Sequence, residues 1–402
     1  MKNKTIGYIQ PGNRFEALNA ARNFKMARST QAYVRGSTVK FYEWLDRSPA
    51  SSLPEGPGIW ICGDCHAGNL GPVASSKGKI EIEIRDLDQT VIGNPAHDVI
   101  RLGLSLAMSA RDSNLPGVTT AKMLEQLMQG YEIAFLKAGD PDEMEKPSAV
   151  KIVMKQALAR SWKQLANERI GGMDPNIPLG KRFWPLKKTE KTAISDLFSG
   201  DGLEALKVAL RPDGADLPIE LIDAAYWMKG CSSLGLLRYA ALIKFAGDST
   251  KDKNMYLIDI KEAVKTAAPR YADFRMPRDN ATRVVQGAHH LAPHLGNRMM
   301  AAKILDSSVF LRELLPQDLK IEIQQLSQTD AMIAAKFLGQ IVGKAHARQM
   351  DAATRLIWQR ELLRTKSKKF DAPSWLWCSV VELIGTHERA YLEHCRRFGL
   401  NK

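Results

Sequence analysis

Residues 61–102, ICGDCHAGNLGPVASSKGKIEIEIRDLDQTVIGNPAHDVIRL, constrain this chain more than any other stretch, because several chemically useful side chains crowd together there. GIWICG (58–63) reads as a short apolar strand followed by an acid, and IEIEIRD (80–86) alternates apolar and polar residues before ending on an acid as well. Two strand ends are expected to carry Asp64 and Asp86 side by side, with His66, Gly68 and Asn69 in the loop after the first. An imidazole, an amide and two carboxylates in one concavity form an oxygen-rich set of the kind Mg2+ prefers. Phosphoryl transfer asks for such a set: one carboxylate aligns the attacking hydroxyl, while an amide and another carboxylate hold metal on the phosphates. The competing structural reading has Asp86 and Asp88 turning a hairpin and Asp98 capping a helix.

This spacing resembles the catalytic and metal-binding loops of protein kinases. It is closer to the aminoglycoside phosphotransferase-like branch, whose loops read Gly-Asp-x-His-x-x-Asn and Gly-Asp-Pro-x-x-Asp; here they are GDCHAGN and GNPAHD. The whole chain is also similar to the bacterial domain-of-unknown-function family 2252, which shares both loops and the Asp-x-x-Arg-Leu that follows them, a family name that implies no activity. The kinase resemblance implies that Asp64 is the base or aligning carboxylate and that His66 stands where kinases place a phosphate-contacting cation. It implies that Asn69 and Asp86 bind metal, that Asp88 is a second ligand or a brace, and that Asp98 anchors the catalytic loop by hydrogen bonds.

At 402 residues and 45% hydrophobic content, the chain can build two or three domains or one two-lobed enzyme. No apolar run approaches the ~20 residues of a membrane span, and the opening MKNKTIGYIQPGNRFE lacks the apolar block of a secretory signal, so a cytoplasmic protein is expected. The five scattered cysteines read as free thiols. Cys62 and Cys65 form a C-x-x-C with no second pair and with Asp64 between them, which is a weak redox or zinc signal. A net charge of +13 and a pI near 9.4 favour an anionic partner: nucleotide, nucleic acid, acidic metabolite or membrane surface. Basic residues concentrate over 145–191, as a cationic rim over a phosphate pocket or as a solvated helical face.

Along the chain, 13–45 reads as helical with a break at Arg35-Gly36, where Arg35 is a candidate phosphate contact or a packing residue. A helix is expected from Pro95 through 111, with Arg101 placed to pair with a loop carboxylate, and further helices over 119–137, 149–168 and 189–227. Trp184-Pro185 is a candidate pocket wall. From 229 the texture changes: KGCSSLGLLRYAALIKF and MYLIDIKEA read as a hairpin with a glycine-rich turn. Gly230, Ser232, Ser233 and Gly235 would let backbone N–H groups approach a phosphate, and Lys261 would neutralise its charge. The GxxxxG lacks the Lys-Ser/Thr of a P-loop. DIKEA resembles the Val-Lys-Glu-Ala strand of family 2252.

A helix over 282–295 and a strand over 308–316 follow, the latter carrying Glu313 toward what would be the hinge. No acid lies between 282 and 303 to pair with Lys261, which leaves Gln286, Glu262 or Glu313 as substitutes. His289 and His290 are adjacent on a helix, point to different faces and read as structural. A long helix over 330–350 brings His346 and Arg348 toward the catalytic loop, and two more helices finish the chain.

These pieces of a kinase-like enzyme run in rotated order, so the expected fold is α+β, two-lobed, protein-kinase-like (aminoglycoside phosphotransferase-like) and circularly permuted, with a large helical lobe. Expected units are an N-terminal helical segment (1–57), the catalytic and metal loops plus helical lobe (58–228), a small β-rich nucleotide-binding lobe (229–316) and C-terminal helices on the helical lobe (317–402). The expected activity is ATP- and Mg2+-dependent transfer of phosphate to a hydroxyl of a small molecule or protein. Its alternatives are nucleotidyl transfer, a nucleotide-binding pseudokinase or regulatory module, a metallophosphoesterase lacking the usual Gly-Asn-His ligands, and a nucleic-acid binder lacking a recognition module.

Overall fold

The computed structural model describes residues 7–49, 52–136, 146–172, 174–211, 217–230, 234–247, 255–271, 273–319, 327–363 and 372–399. Three helices open the chain, α1 (Arg14–Met26), α2 (Thr30–Gly36) and α3 (Thr38–Arg47); the Ser29 side chain caps α2 by accepting from the Ala32 N–H. Next come β1 (Ile59–Ile61), the hairpin β2 (Leu70–Ala74) and β3 (Ile80–Ile84), and β4 (Val91–Gly93), which returns to pair antiparallel with β1. The two strands expected to end on acids both form, but in different two-stranded ribbons.

Helix α4 (Ala96–Asp112) is buried without a break from Ala96 to Ala110, as its small and apolar residues allow. After it run α5 (Gly117–Leu136), α6 (Ser148–Ala159), α7 (Trp162–Ile170), β5 (Phe183–Trp184), α8 (Lys188–Ser199) and α9 (Glu204–Leu210). Strand β6 (Ile219–Trp227) corrects the helix expected through 227. The alanines and acids of IELIDAAYW favour helix locally, but pairing along most of its length with β7 (Arg238–Phe245) prevails. Then come β8 (Met255–Glu262), α10 (Asn280–Leu291), α11 (Pro293–Gly296), β9 (Met299–Ile304), β10 (Ser307–Glu313), α12 (Gln328–Ala347), α13 (Ala352–Leu363) and α14 (Ser374–Phe398).

The architecture is mixed α+β. Six strands form one antiparallel sheet in the order β5-β6-β7-β8-β10-β9, which runs across the boundary expected at 228/229. Strand β9 escapes sequence reading because its turn into β10 uses Leu305 and Asp306, both left-handed at φ 50° and 64°, in place of a glycine pair. One sheet face packs on α1, α8 and α9 through Leu18, Ile194, Phe198 and Leu206; the other packs on α7 through Leu165 and Ile170.

The largest core joins α2–α5, α10 and α12–α14 around β1 and β4. Within it α5 and α12 cross backbone to backbone: a Cβ on Gly130 would strike the Lys336 carbonyl, and one on Gly339 the Leu127 carbonyl. That crossing fixes the C-terminal end of α12, which carries His346. Helix α1 touches both bodies, since Leu18 packs on the sheet while the Asn23 carbonyl lies 2.9 Å from His394 Nε2 of α14. Cys62, Cys65, Cys378 and Cys395 are free thiols, and no described helix is long and apolar enough to cross a membrane.

Candidate active site

The loop after β1 is fastened from below. Gly63 turns out of the strand at φ 75°, where a Cβ would strike the Gln89 carbonyl. Asp98, fully buried in the first turn of α4, accepts the N–H groups of Cys62 (2.7 Å) and Gly63 (2.9 Å). His346 Nε2 lies 3.1 Å from the same carboxylate; Tyr131 Oη meets His346 Nδ1 at 2.8 Å and accepts from Trp358 Nε1 at 3.2 Å. Four elements, α4, α5, α12 and α13, thus set one loop through buried hydrogen bonds. The anchoring role expected of Asp98 and the approach of His346 are both present. Arg348 instead bonds the Lys344 carbonyl of its own helix from an exposed position.

On this base stand the expected site groups. Arg101 contacts Asp64 Oδ1 through Nε (3.0 Å) and Nη2 (2.8 Å), leaving Oδ2 outside the pair. Asn69 Nδ2 donates to the carbonyls of Asp86 (2.7 Å) and Asp64 (3.4 Å), so Oδ1 is the amide atom left for a ligand. Lys261, 2% exposed on β8, brings Nζ to 3.3 Å from Asp86 Oδ1 and into contact with Asp88 Oδ2. Desolvation pushes the Asp86 carboxyl up, but Lys261 and Arg312 outweigh it and hold it below the usual range, while burial and the Asp86 charge push Asp88 up. Asp88 Oδ1 is buried with no hydrogen-bond partner among the described residues. An orphaned carboxylate oxygen beside Asp86 and the Asn69 amide oxygen makes a donor set that fits Mg2+.

Above the loop, the sheet face that carries Lys261 is charged. Asp259, two residues earlier and fully buried, is gripped by Arg238 of β7 (2.9 and 2.6 Å) and by Arg312 of β10 (3.3 and 3.1 Å). Desolvation raises the Asp259 carboxyl, and the two guanidinium groups overcome it to leave the carboxyl well below the usual range. Arg312 also donates to the Arg85 carbonyl at 2.9 Å, tying the sheet to the strand that leads into Asp86. Between floor and roof lies a cleft of about 820 Å3. Seven cations and four acids line it, so it favours anions. Arg160 and Arg169 come from the basic stretch expected to rim a phosphate pocket.

The remaining candidates divide. Gly230 (φ 93°) lines the cleft and its carbonyl accepts from Lys25 at 2.9 Å, Gly235 (φ 105°) is not among the cleft-lining residues, and Ser232 and Ser233 lie outside the described residues. Glu313 is not among the cleft-lining residues, and burial raises its carboxyl to about 7. None of the three substitutes pairs with Lys261: Glu262 accepts the Leu237 N–H at 2.7 Å, Gln286 is exposed, and the carboxylates at Lys261 come from Asp86 and Asp88. On α10 the buried charged residue is Arg283, which donates to the carbonyls of Asp88 (3.1 Å) and Val264 (3.0 Å). Trp184 stacks on Tyr226 in the sheet core and does not wall the cleft. The His289 and His290 side chains go separate ways, to Asn297 and to the face of Trp60. Cys62 is buried with its thiol pushed up by desolvation, far from thiolate chemistry.

Sequence reasoning missed Asp259, Arg238 and Arg312. The available signal was an acid inside the apolar strand MYLIDIKEA, two residues from Lys261 and therefore on the same face.

Fold and site together define an α+β protein with an acid-, amide- and lysine-lined cleft between a helical body and an antiparallel sheet. The chain belongs to the family described as uncharacterized protein conserved in bacteria (DUF2252), whose model matches residues 14–397. Neither a curated protein nor a solved structure matches it.

Proposed function

We propose that the protein is a circularly permuted, kinase-like phosphotransferase that uses ATP and Mg2+ to phosphorylate a hydroxyl. The observation that carries this reading is the meeting of buried Lys261 with Asp86 and Asp88, where Asp86 lines the cleft together with Asp64 and Asn69. The order of parts also supports it: acid loop, metal-type loop and helices first, then a glycine turn, the lysine strand, a helix, and the helix α12 that braces the acid loop.

In this reading Asp86, Asp88 and the Asn69 amide oxygen would hold Mg2+, which would supply charge neutralisation for the transferring phosphates. Lys261 holds the same phosphates. Asp64, kept in place by Arg101, orients the acceptor hydroxyl and takes its proton as the oxygen bonds to the γ-phosphorus; the bond to the bridging oxygen breaks and ADP leaves. His66 lines the cleft beside Asp64.

One observation favours a second reading, a nucleotide-binding module without turnover: α10 faces the metal-type loop with Arg283 and brings no carboxylate to Lys261. The test is ADP formation from Mg2+–ATP by the full chain. Phosphoryl transfer expects Asp64→Asn to lose about 100-fold or more in turnover while nucleotide affinity is kept. Nucleotide binding with equal turnover in the two proteins, or with none in either, would overturn it.

A further inference from the structure

Resting on the phosphotransferase reading of the cleft, we propose that the acceptor is an anionic small molecule whose phosphate or carboxylate group is held by Arg35 and His66 beside Asp64. Three observations converge on this spot. Arg35, in the last turn of α2, lines the cleft and has neither a hydrogen-bond nor an ion-pair partner among the described residues. His66 is only 7% exposed, lines the same cleft, and its Nδ1 is buried with no hydrogen-bond partner. Gly68 lies between them: a Cβ there would sit 3.4 Å from His66 Nδ1 and 3.5 Å from the Arg35 guanidinium carbon.

A buried ring nitrogen left without a partner is costly, and a ligand that satisfies it recovers that cost. Burial, with Arg35 and Arg101 nearby, brings the His66 imidazole down to about 4, so the ring is neutral at physiological pH and serves as a hydrogen-bond group while Arg35 supplies the charge. A guanidinium fork fits the paired oxygens of carboxylate or phosphate. The donor phosphates already have the Lys261 and metal-binding set. Arg35 comes from the other direction, next to Val34, whose carbonyl accepts from the Arg101 that holds Asp64. An acceptor with a hydroxyl at Asp64 and an anionic group a few bonds away meets both demands.

The test titrates inorganic phosphate and, separately, acetate into the full-length protein by calorimetry, with Mg2+–ATP titrated in parallel. One of the two anions should bind saturably, phosphate pointing to a phosphomonoester acceptor and acetate to a carboxylate. Arg35→Ala should weaken that anion about tenfold or more, and Arg35→Lys should recover part of the loss. Gly68→Ala should weaken it as well by filling the space with every charge kept. Asp86→Ala should keep or tighten anion binding, because it removes an acid from the same cleft, while losing Mg2+–ATP. The proposal is overturned if neither anion binds, if Arg35→Ala and Gly68→Ala both stay within about twofold of the parent protein, or if Arg35→Ala loses Mg2+–ATP to the same degree. A chain that ignores Mg2+–ATP yet loses its anion on Arg35→Ala defeats the phosphotransferase reading and leaves the anion pocket standing.

Discussion

Asp98 beneath the cleft and Asp259 above it are both fully buried acids, yet they are held in opposite ways. Asp98 accepts two backbone N–H groups from a single loop and meets one imidazole, so its work is to set a shape. Asp259 is clamped by guanidinium groups from two neighbouring strands, so its work is to let two like charges stand side by side. One acid against two arginines leaves the roof net positive, whereas the floor is fixed without adding positive charge. On the phosphotransferase reading, the floor sets where the reacting groups sit, and the roof adds positive charge to the side of the cleft that faces the donor phosphates.

The strongest way to break this contrast is Asp259→Ala, which strands two guanidinium groups and should cost about 3–5 kcal/mol in urea unfolding. A loss below about 1 kcal/mol would mean that the roof arginines find solvent and the clamp is incidental. Next is Asp98→Ala, which leaves the Cys62 and Gly63 N–H groups unsatisfied and should cost about 2–3 kcal/mol. Because the loop shape goes with it, ADP formation from Mg2+–ATP should be lost as well; a variant that is destabilised but keeps full turnover would separate Asp98 from the site.

Acid titration sharpens the contrast further. His66, His97 and His387 are buried, and desolvation lowers each to about 4. Each native value lies below the unfolded value of about 6.5, so the unfolded chain binds more protons and stability falls as pH drops from about 6.5 toward 4. Asp259 is also depressed in the native state, from an unfolded value near 3.9, so its contribution is lost only at still lower pH. Asp259→Asn should keep the upper stage of the loss and flatten the lower one. The smallest effect belongs to Tyr131→Phe, which removes the hydroxyl between His346 and Trp358 and should cost about 1 kcal/mol with turnover only slightly changed.

The floor was legible in the sequence because its parts are local. Asp64, Asn69 and Asp86 fall within a few dozen residues, and Asp98 opens the helix that follows. Even the distant His346 could be placed, since the long helix carrying it was plain from periodicity. The roof was hidden because its clamp joins three strands of one sheet, and no local pattern announces that Arg238, Asp259 and Arg312 share a face. The edge of that sheet was obscured for a related reason. IELIDAAYW, with its alanines and acids, and MMAAKI, with its alanines and lysine, carry residues that strands disfavour, and only their pairing makes them strands. The missing partner of Lys261 was sought on α10 by resemblance, whereas the metal-type loop itself supplies the carboxylates.

The central claim is that Lys261, Asp86 and Asp64 face a single phosphate-sized gap. Thermal unfolding of the full chain with and without Mg2+–ATP tests it most directly, run on the parent protein, Lys261→Ala and Asp86→Ala. The account predicts that the nucleotide raises the midpoint of the parent protein and leaves both variants unmoved. A rise of equal size in all three would contradict it.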